Sequence, residues 1–216
     1  MLDNERRTVA AQAPQLARLT PGRTGNLSVR QGDAIAITPS GVPYEDVEPE
    51  DVPVVALDGT RMAGTWAPSS ETPMHRQIYR QFDAGAVAHV HSPWATTLAV
   101  LRQPLPPVHY MIALAGDRVP VTDYATYGTE ALADNAVEAM EEADSDACLL
   151  ANHGLVVKAT DATAAIEVAE TVESVARVYC QARAFGTPEE LPSAEIDQTA
   201  RKLGEYGPEG GESGEN

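Results

Sequence analysis

Gly85 to Val100 reads GAVAHVHSPWATTLAV, and this stretch restricts the fold more tightly than any other in the chain. Two of the five histidines, His89 and His91, stand two residues apart inside an apolar run bounded by glycine and by Ser-Pro. An apolar run of this length between turn signals reads as a strand buried on both faces. Side chains alternate along a strand, so residues i and i+2 point the same way. Both imidazoles therefore leave water together, on one face. Burying each without a partner would cost about 1–3 kcal/mol. The fold must set something against that face that accepts two imidazoles. A metal ion fits; a pair of satisfied core histidines is the plain alternative.

The rest of the chain reads as interleaved helices and strands. Residues 5–18 predict a helix. Glycine and proline turns frame two short strands, Leu27–Arg30 and Ala34–Thr38. VPVVALDGTRMAG reads as strand, Asp58-Gly59 turn and strand. SSETPMHRQIYRQF starts a helix, with serines at the cap, Pro73 in the first turn, and Met74, Ile78 and Phe82 spaced by four. After the histidine strand, SPWATTLAVL starts another helix at Ser-Pro. Further helices are expected over 129–143 and 161–186, the second carrying Val168, Val172, Val175 and Tyr179 on one face. Between them, DACLLANHGLVVKA reads as two strand pieces around Asn152-His153-Gly154. Tight turns between strands favour a mixed or antiparallel sheet layered with helices over a doubly wound parallel one. GxGxxG and Walker loops are absent, so nothing points to a nucleotide. An all-β barrel, the cupin way of using HxH, leaves no room for the long helices.

Several residues could join the histidine pair. His153 lies where two apolar runs meet at a turn, and Gly154 after it permits a sharp bend. A third imidazole at a strand end would complete a three-histidine site with an open coordination position; a turn histidine facing water is the alternative. Glu71 begins a helix behind two serines. Acids favour that place through the helix dipole, yet a carboxylate there could also touch the metal and act as a base. His75, four residues on, reads as structural or as a residue that orients Glu71. His109 receives no role. TGNLS, TPSG and PSSE are small polar loops of the kind that wrap a phosphate with amides and hydroxyls. Ordinary turns would explain each alone, less readily all three.

Composition sets outer limits. The 216 residues suffice for one sizeable domain. Acidic residues number 32 against 15 basic ones, only Lys158 and Lys202 being lysines, and the net charge is −17. Such a surface repels phosphodiester backbones and anionic lipid, so neither nucleic acid nor membrane is an expected partner. Excess carboxylate with scarce lysine is expected of a high-salt cytoplasm, where screening tolerates the self-repulsion; an ordinary acidic enzyme is the alternative. Cys148 and Cys180 have neither framework nor metal spacing, and read as small buried hydrophobes in a reducing compartment. No long apolar leader or membrane span is visible, so a soluble, cytoplasmic protein is expected. The last ten residues, GPEGGESGEN, read as a disordered tail over 207–216.

GNLSVR, ITPSGVPY, PSSE, AHVHSPWAT, HYMIALAGDRVPVTDYATYGTEAL and NHGL follow one another in that order. This ordered set resembles the class II aldolase and adducin head family, and most closely its fuculose-type branch, from about residue 5 to Tyr206. The resemblance implies a single α/β domain over 1–206, three layers deep in α/β/α order around a mainly antiparallel sheet. It also implies a homotetramer with active sites between subunits. The family's metal ligands fall on His89, His91 and His153, and its glutamate, both ligand and proton-transfer group, on Glu71. Its phosphate positions fall on Gly25, Asn26, Ser40, Gly41, Ser69 and Ser70. Tyrosines acting near the aldehyde fall on Tyr110, reaching in from a neighbouring subunit, and Tyr206. The aldehyde-side position often held by Phe is Tyr127 here.

The implied reaction is reversible cleavage of a ketose 1-phosphate such as L-fuculose 1-phosphate. It gives dihydroxyacetone phosphate and an aldehyde such as L-lactaldehyde, through an enediolate stabilised by Zn²⁺, with Mn²⁺, Co²⁺ or Fe²⁺ as other occupants. Another deoxyketose phosphate, such as 5-deoxyribulose 1-phosphate, an unphosphorylated ketose or a 2-keto-3-deoxy acid are alternative substrates. Epimerases of the family typically carry Asp at the Glu71 position; methylthioribulose-phosphate dehydratase keeps Glu. A non-catalytic adducin head should have lost histidines that this chain retains.

Overall fold

The computed structural model describes residues 1–205. Tyr206 and the expected tail over 207–216 lie outside them. The chain begins with α1 (Asp3–Leu19), then the hairpin β1 (Asn26–Gln31) and β2 (Ala34–Ile37), and the pair β3 (Val54–Ala56) and β4 (Arg61–Ala63). Next come α2 (Thr72–Gln81), β5 (Ala86–Val90), α3 (Pro93–Leu101) and α4 (Glu130–Ala143). The hairpin β6 (Ala147–Leu150) and β7 (Gly154–Ala159) leads to α5 (Ala162–Phe185) and α6 (Ser193–Gly204). Single 3₁₀ turns form at Tyr44–Asp46 and Tyr110–Leu114.

The strands build one sheet in the order β4-β3-β2-β1-β5-β7-β6, every pairing antiparallel. The histidine strand β5 lies near its middle, between β1 and β7, and all five of its residues are buried. Alternation then sorts its side chains. Ala86, Ala88 and Val90 join Leu16 of α1, Leu98 of α3 and Val172 of α5 in one core. Val87 joins Met74 and Ile78 of α2 and Leu132 and Met140 of α4 in the other. This is the expected three-layer α/β/α arrangement, and it sends His89 and His91 to the α2–α4 side.

Local signals act as read. Thr129 caps α4 by accepting the Leu132 N–H at 3.3 Å, and Asp161 caps α5 by accepting that of Ala164 at 3.0 Å. α6 was not foreseen: it buries only Ile196, too little to mark a periodic face. Cys148 is fully buried, whereas Cys180, expected to be buried, is only partly so on α5; both are free thiols. Among the described residues no helix is long and apolar enough to cross a membrane.

The α3–α5 packing is a separable test of the layer behind the histidine strand. Leu98 is fully buried there. Leu98→Ala is expected to cost about 2–5 kcal/mol, read as a lowered midpoint in urea unfolding.

Candidate metal centre and substrate cavity

Three elements converge on the site. β5 supplies His89 and the residue just past its end, His91; the turn between β6 and β7 supplies His153, and the start of α2 supplies Glu71. The three imidazoles stand edge to face around a common centre, every pair of ring centroids 4.8 Å apart. Glu71 Oε2 lies 2.9 Å from His89 Nε2, and Oε1 lies 3.4 Å from His153 Nε2. One donor atom from each of the four residues falls within 4.8 Å of all the others.

The chemistry of these atoms asks for a cation. His89 Nδ1–H donates to the Leu155 carbonyl at 2.9 Å, which leaves Nε2 of the neutral ring as a lone pair. That lone pair faces His91 Nε2 at 2.9 Å and the Glu71 carboxylate. Glu71 Oε1 is buried and accepts no hydrogen bond. Acceptors aimed at acceptors in a dry pocket are stable only with a proton or a metal ion between them. Three imidazoles and a carboxylate, with the His89 ring fixed by a backbone carbonyl behind it, fit a divalent metal.

Ionisation follows the crowding. Burial, then the crowding of His89 and His153 against the ring, push His91 down to about 3 against the pull of Glu71. Burial and then His89 push His153 down to about 4. His75, fully buried on α2, is pushed down to about 3 by burial first. For Glu71, burial raises the carboxyl, but His89, His153 and the Asn26 amide together outweigh it and hold it well below the usual range. His91 and His153 held neutral and Glu71 held ionised are the ligand forms a metal needs.

The local backbone departs from the sequence reading in two places. Serines were expected to cap α2; Glu71 itself occupies the cap position and turns its side chain into the cluster, while Ser69 Oγ accepts the Glu71 N–H at 3.3 Å. Gly154 was expected to make the bend at His153. The bend is instead made by Asn152 in the left-handed region, φ 56°, a conformation Asn tolerates. Gly154 serves closeness: a Cβ there would sit 2.5 Å from the Val90 carbonyl and 3.1 Å from the His91 ring. Gly25 does the same on the other side, where a Cβ would meet the His89 carbonyl at 2.6 Å.

A cavity of about 380 Å³ opens beside the cluster. Its walls bring together Glu71, His91 and His153 with all the expected phosphate residues, Gly25, Asn26, Ser40, Gly41, Ser69 and Ser70, and with Tyr127. The backbone amides of Ser40 and Ser69 are already spent on the Ala67 and Thr38 carbonyls, so these residues offer hydroxyls rather than amides. The Asn26 side chain is also committed, donating through Nδ2 to Glu71 Oε2 at 3.0 Å. Arg23, Tyr124 and Asn152 line the cavity too and had been given no role. Arg23 stands next to the small polar loop in GRTGN, and Tyr124 three residues before Tyr127, so neighbourhood was the available signal. Tyr110 does not line its own chain's cavity; it is half-exposed on a 3₁₀ turn, with its ring stacked on His109 at 4.7 Å.

Residues 7–180 match the class II aldolase and adducin N-terminal domain family. The chain belongs to that family. It is 42% identical over 212 residues to a 5-deoxy-D-ribulose 1-phosphate aldolase of Bacillus thuringiensis serovar kurstaki, covering 96% of this chain and 99% of that one. It is 35% identical over 192 residues to an L-fuculose phosphate aldolase of Escherichia coli K12, covering 88% of each. A solved L-fuculose 1-phosphate aldolase superimposes with a TM-score of 0.89 at 41% identity, over 93% of this chain and 96% of that one. Enzyme class follows: the chain is a class II aldolase, a lyase whose family works with a divalent metal, and the Glu–His₃ cluster is a donor set that could hold one.

The lowered histidines fix a pH dependence. Folded His75, His91 and His153 hold protons only near pH 3–4, whereas the unfolded chain takes them up near 6.5. The unfolded state therefore binds more protons between those limits, and stability must fall as pH drops through about 6.5. Urea unfolding of chelator-treated protein should show a lower midpoint at pH 5 than at pH 7.5.

Proposed function

We propose that the chain reversibly cleaves a deoxyketose 1-phosphate to dihydroxyacetone phosphate and a short aldehyde. The observation that carries this is one cavity with a metal donor set on one wall and small polar phosphate loops on another. The relatives' substrates, 5-deoxy-D-ribulose 1-phosphate and L-fuculose 1-phosphate, share the dihydroxyacetone phosphate half and differ at the aldehyde end. The first would release acetaldehyde and the second L-lactaldehyde. The higher identity favours the first, and the exposed Tyr124 and Tyr127 suit a small, partly apolar aldehyde.

A divalent ion held by Glu71, His89, His91 and His153, zinc by the donor set and Mn²⁺, Co²⁺ or Fe²⁺ by the same atoms, would supply Lewis-acid polarisation of the ketose carbonyl. Ser40, Ser69 and Ser70 would bind the phosphate through hydroxyls, and Gly25 and Gly41 would let it come close to the backbone. Asn26 has one Nδ2 hydrogen beyond the bond to Glu71. Arg23 adds charge: among the described residues lining the cavity it is the only Lys or Arg, and its Nη1 already donates to the Gly41 carbonyl at 2.9 Å. A guanidinium there offsets the field of a chain carrying −17. In cleavage the C4 hydroxyl gives its proton to a tyrosine in its phenolate form, the C3–C4 bond breaks, and the electron pair stays on C3, delocalised toward the carbonyl. Glu71, which takes up a proton from solvent before this step, delivers it to C3, and the tyrosine returns its own to solvent. Run backward, Glu71 removes that proton and a tyrosine hydroxyl protonates the new alkoxide. Tyr110, standing outside its own cavity, suits delivery to a neighbour's site in a homotetramer. Tyr206 is the second tyrosine, and lies outside the described residues.

The test is cleavage of both ketose phosphates, coupled to detection of dihydroxyacetone phosphate, with and without chelator. Activity should vanish with chelator and return with added metal. Glu71→Gln should lower kcat by at least about 10²-fold, the range of a lost acid–base group. Acetaldehyde and L-lactaldehyde are distinguished directly as products. No cleavage of either ketose by metal-loaded protein would sink the proposal.

Arg23→Gln separates the phosphate end. KM for the phosphorylated ketose should rise about tenfold, the worth of a charged hydrogen bond, with kcat little changed.

A further inference from the structure

Behind Glu71 lies a chain of buried polar groups that the reaction above does not use. His75 is fully buried on α2, as is Ser28 on β1. His75 Nε2 lies 2.5 Å from Asn26 Oδ1, and Nδ1 lies 2.6 Å from Ser28 Oγ. An amide oxygen can only accept, so Nε2 carries the hydrogen, and Nδ1 accepts from the serine hydroxyl. The Tyr79 hydroxyl sits 2.8 Å from Ser28 Oγ and 3.0 Å from the Ser28 carbonyl; its one hydrogen, shared between the two, leaves the serine's own hydrogen for His75 Nδ1 and closes the chain at its far end. At the near end the amide nitrogen of Asn26 donates to Glu71 Oε2 at 3.0 Å.

The orientation of Asn26 is what this chain decides. An asparagine amide has two orientations of nearly equal shape. Turned round, Asn26 would set its oxygen against a carboxylate oxygen, acceptor on acceptor. It would also set its NH₂ against the Nε2–H of His75, donor on donor. Only the ring of His75 faces the amide oxygen with a hydrogen. Serine and tyrosine behind it hold that ring in the tautomer required.

We propose that His75 is a positioning residue: it locks the Asn26 amide so that Glu71 keeps a hydrogen-bond donor and a fixed orientation while it moves the substrate proton. The inference rests on Glu71 being the proton-transfer group, as proposed above. His75 touches neither substrate nor metal, and acts through Asn26 alone. His89, which resembles it in burial, carries its hydrogen on the opposite nitrogen, Nδ1, toward the Leu155 carbonyl. The two rings should therefore be distinguishable as opposite tautomers.

The experiment uses metal-loaded protein and dihydroxyacetone phosphate alone, following exchange of the hydroxymethyl proton with deuterated water. Three variants are compared with wild type: His75→Leu, His75→Gln and His75→Leu combined with Asn26→Ala. Leucine removes the lock; glutamine can still donate to Asn26 and accept from Ser28. His75→Leu should slow exchange and lower kcat about 10- to 100-fold, the range for a misplaced catalytic group. His75→Gln should recover most of the rate. In the Asn26→Ala background, His75→Leu should cost nothing more, because the residue through which it acts is gone. Nitrogen-15 spectra of wild type should show His75 as the Nε2–H tautomer.

Wild-type exchange that His75→Leu leaves intact would overturn the inference, as would an equal loss with and without Asn26, or an Nδ1–H tautomer at His75. Should the leucine variant fail to fold, the tautomer and the glutamine variant decide. Absence of exchange in wild type would instead overturn the proton-transfer reading of Glu71, and this inference with it.

Discussion

Buried acceptors facing one another need a positive charge between them, and the architecture around β5 exists in the form that meets this need. His89, His91, His153 and Glu71 are brought from three elements into a space where the lone pair of His89 Nε2 faces both His91 Nε2 and the Glu71 carboxylate. Left without a cation, the cluster would carry several desolvated acceptors at once. The antiparallel sheet makes the convergence possible. It puts β5 between β1 and β7, so the strand that brings His89 and, at its end, His91 lies beside the turn that brings His153.

The same sheet distributes the remaining work. β1 begins at Asn26, paired across from His89, so the residue that contacts Glu71 is in register with a ligand. Gly25, just before it, lets the chain pass tightly over the His89 carbonyl. The loops after β2 and before α2 bring hydroxyls to the same cavity. In the proposed reading, an acidic chain would meet an anionic ligand with short neutral donors and, among the described residues lining the cavity, a single guanidinium, rather than with a basic surface.

Much of this was legible in the sequence, for physical reasons. HxH in an apolar strand fixes the facing of both histidines through a period of two. A histidine between two apolar runs can only be at a strand end. The helix start at PSSE and the small polar loops announce themselves by residue type. The unread parts depend on information no periodicity carries. The bend at His153 belongs to Asn152, because glycine was needed for clearance one residue later. The link from His75 to Asn26 joins residues 49 positions apart and turns on which ring nitrogen bears a hydrogen. Arg23 and Tyr124 sit in loops, where neighbours in space are set by the whole fold. α6 fully buries a single side chain, Ile196, so little of its apolar side is tied to the core.

The bond from His89 to the Leu155 carbonyl ties the site to the geometry of one hairpin. β7 supplies that carbonyl, and two residues earlier the same backbone presents His153. The first ligand and the third thus share a few peptide units. Drift in this hairpin is consequently tolerated in composition but not in length. Its apolar side chains can be exchanged for others of similar volume. One residue inserted or deleted between Leu150 and Leu155 would move His153 to another position and take the carbonyl away from His89 in the same event. The hairpin works as a ruler, and the Glu–His₃ cluster reads its length.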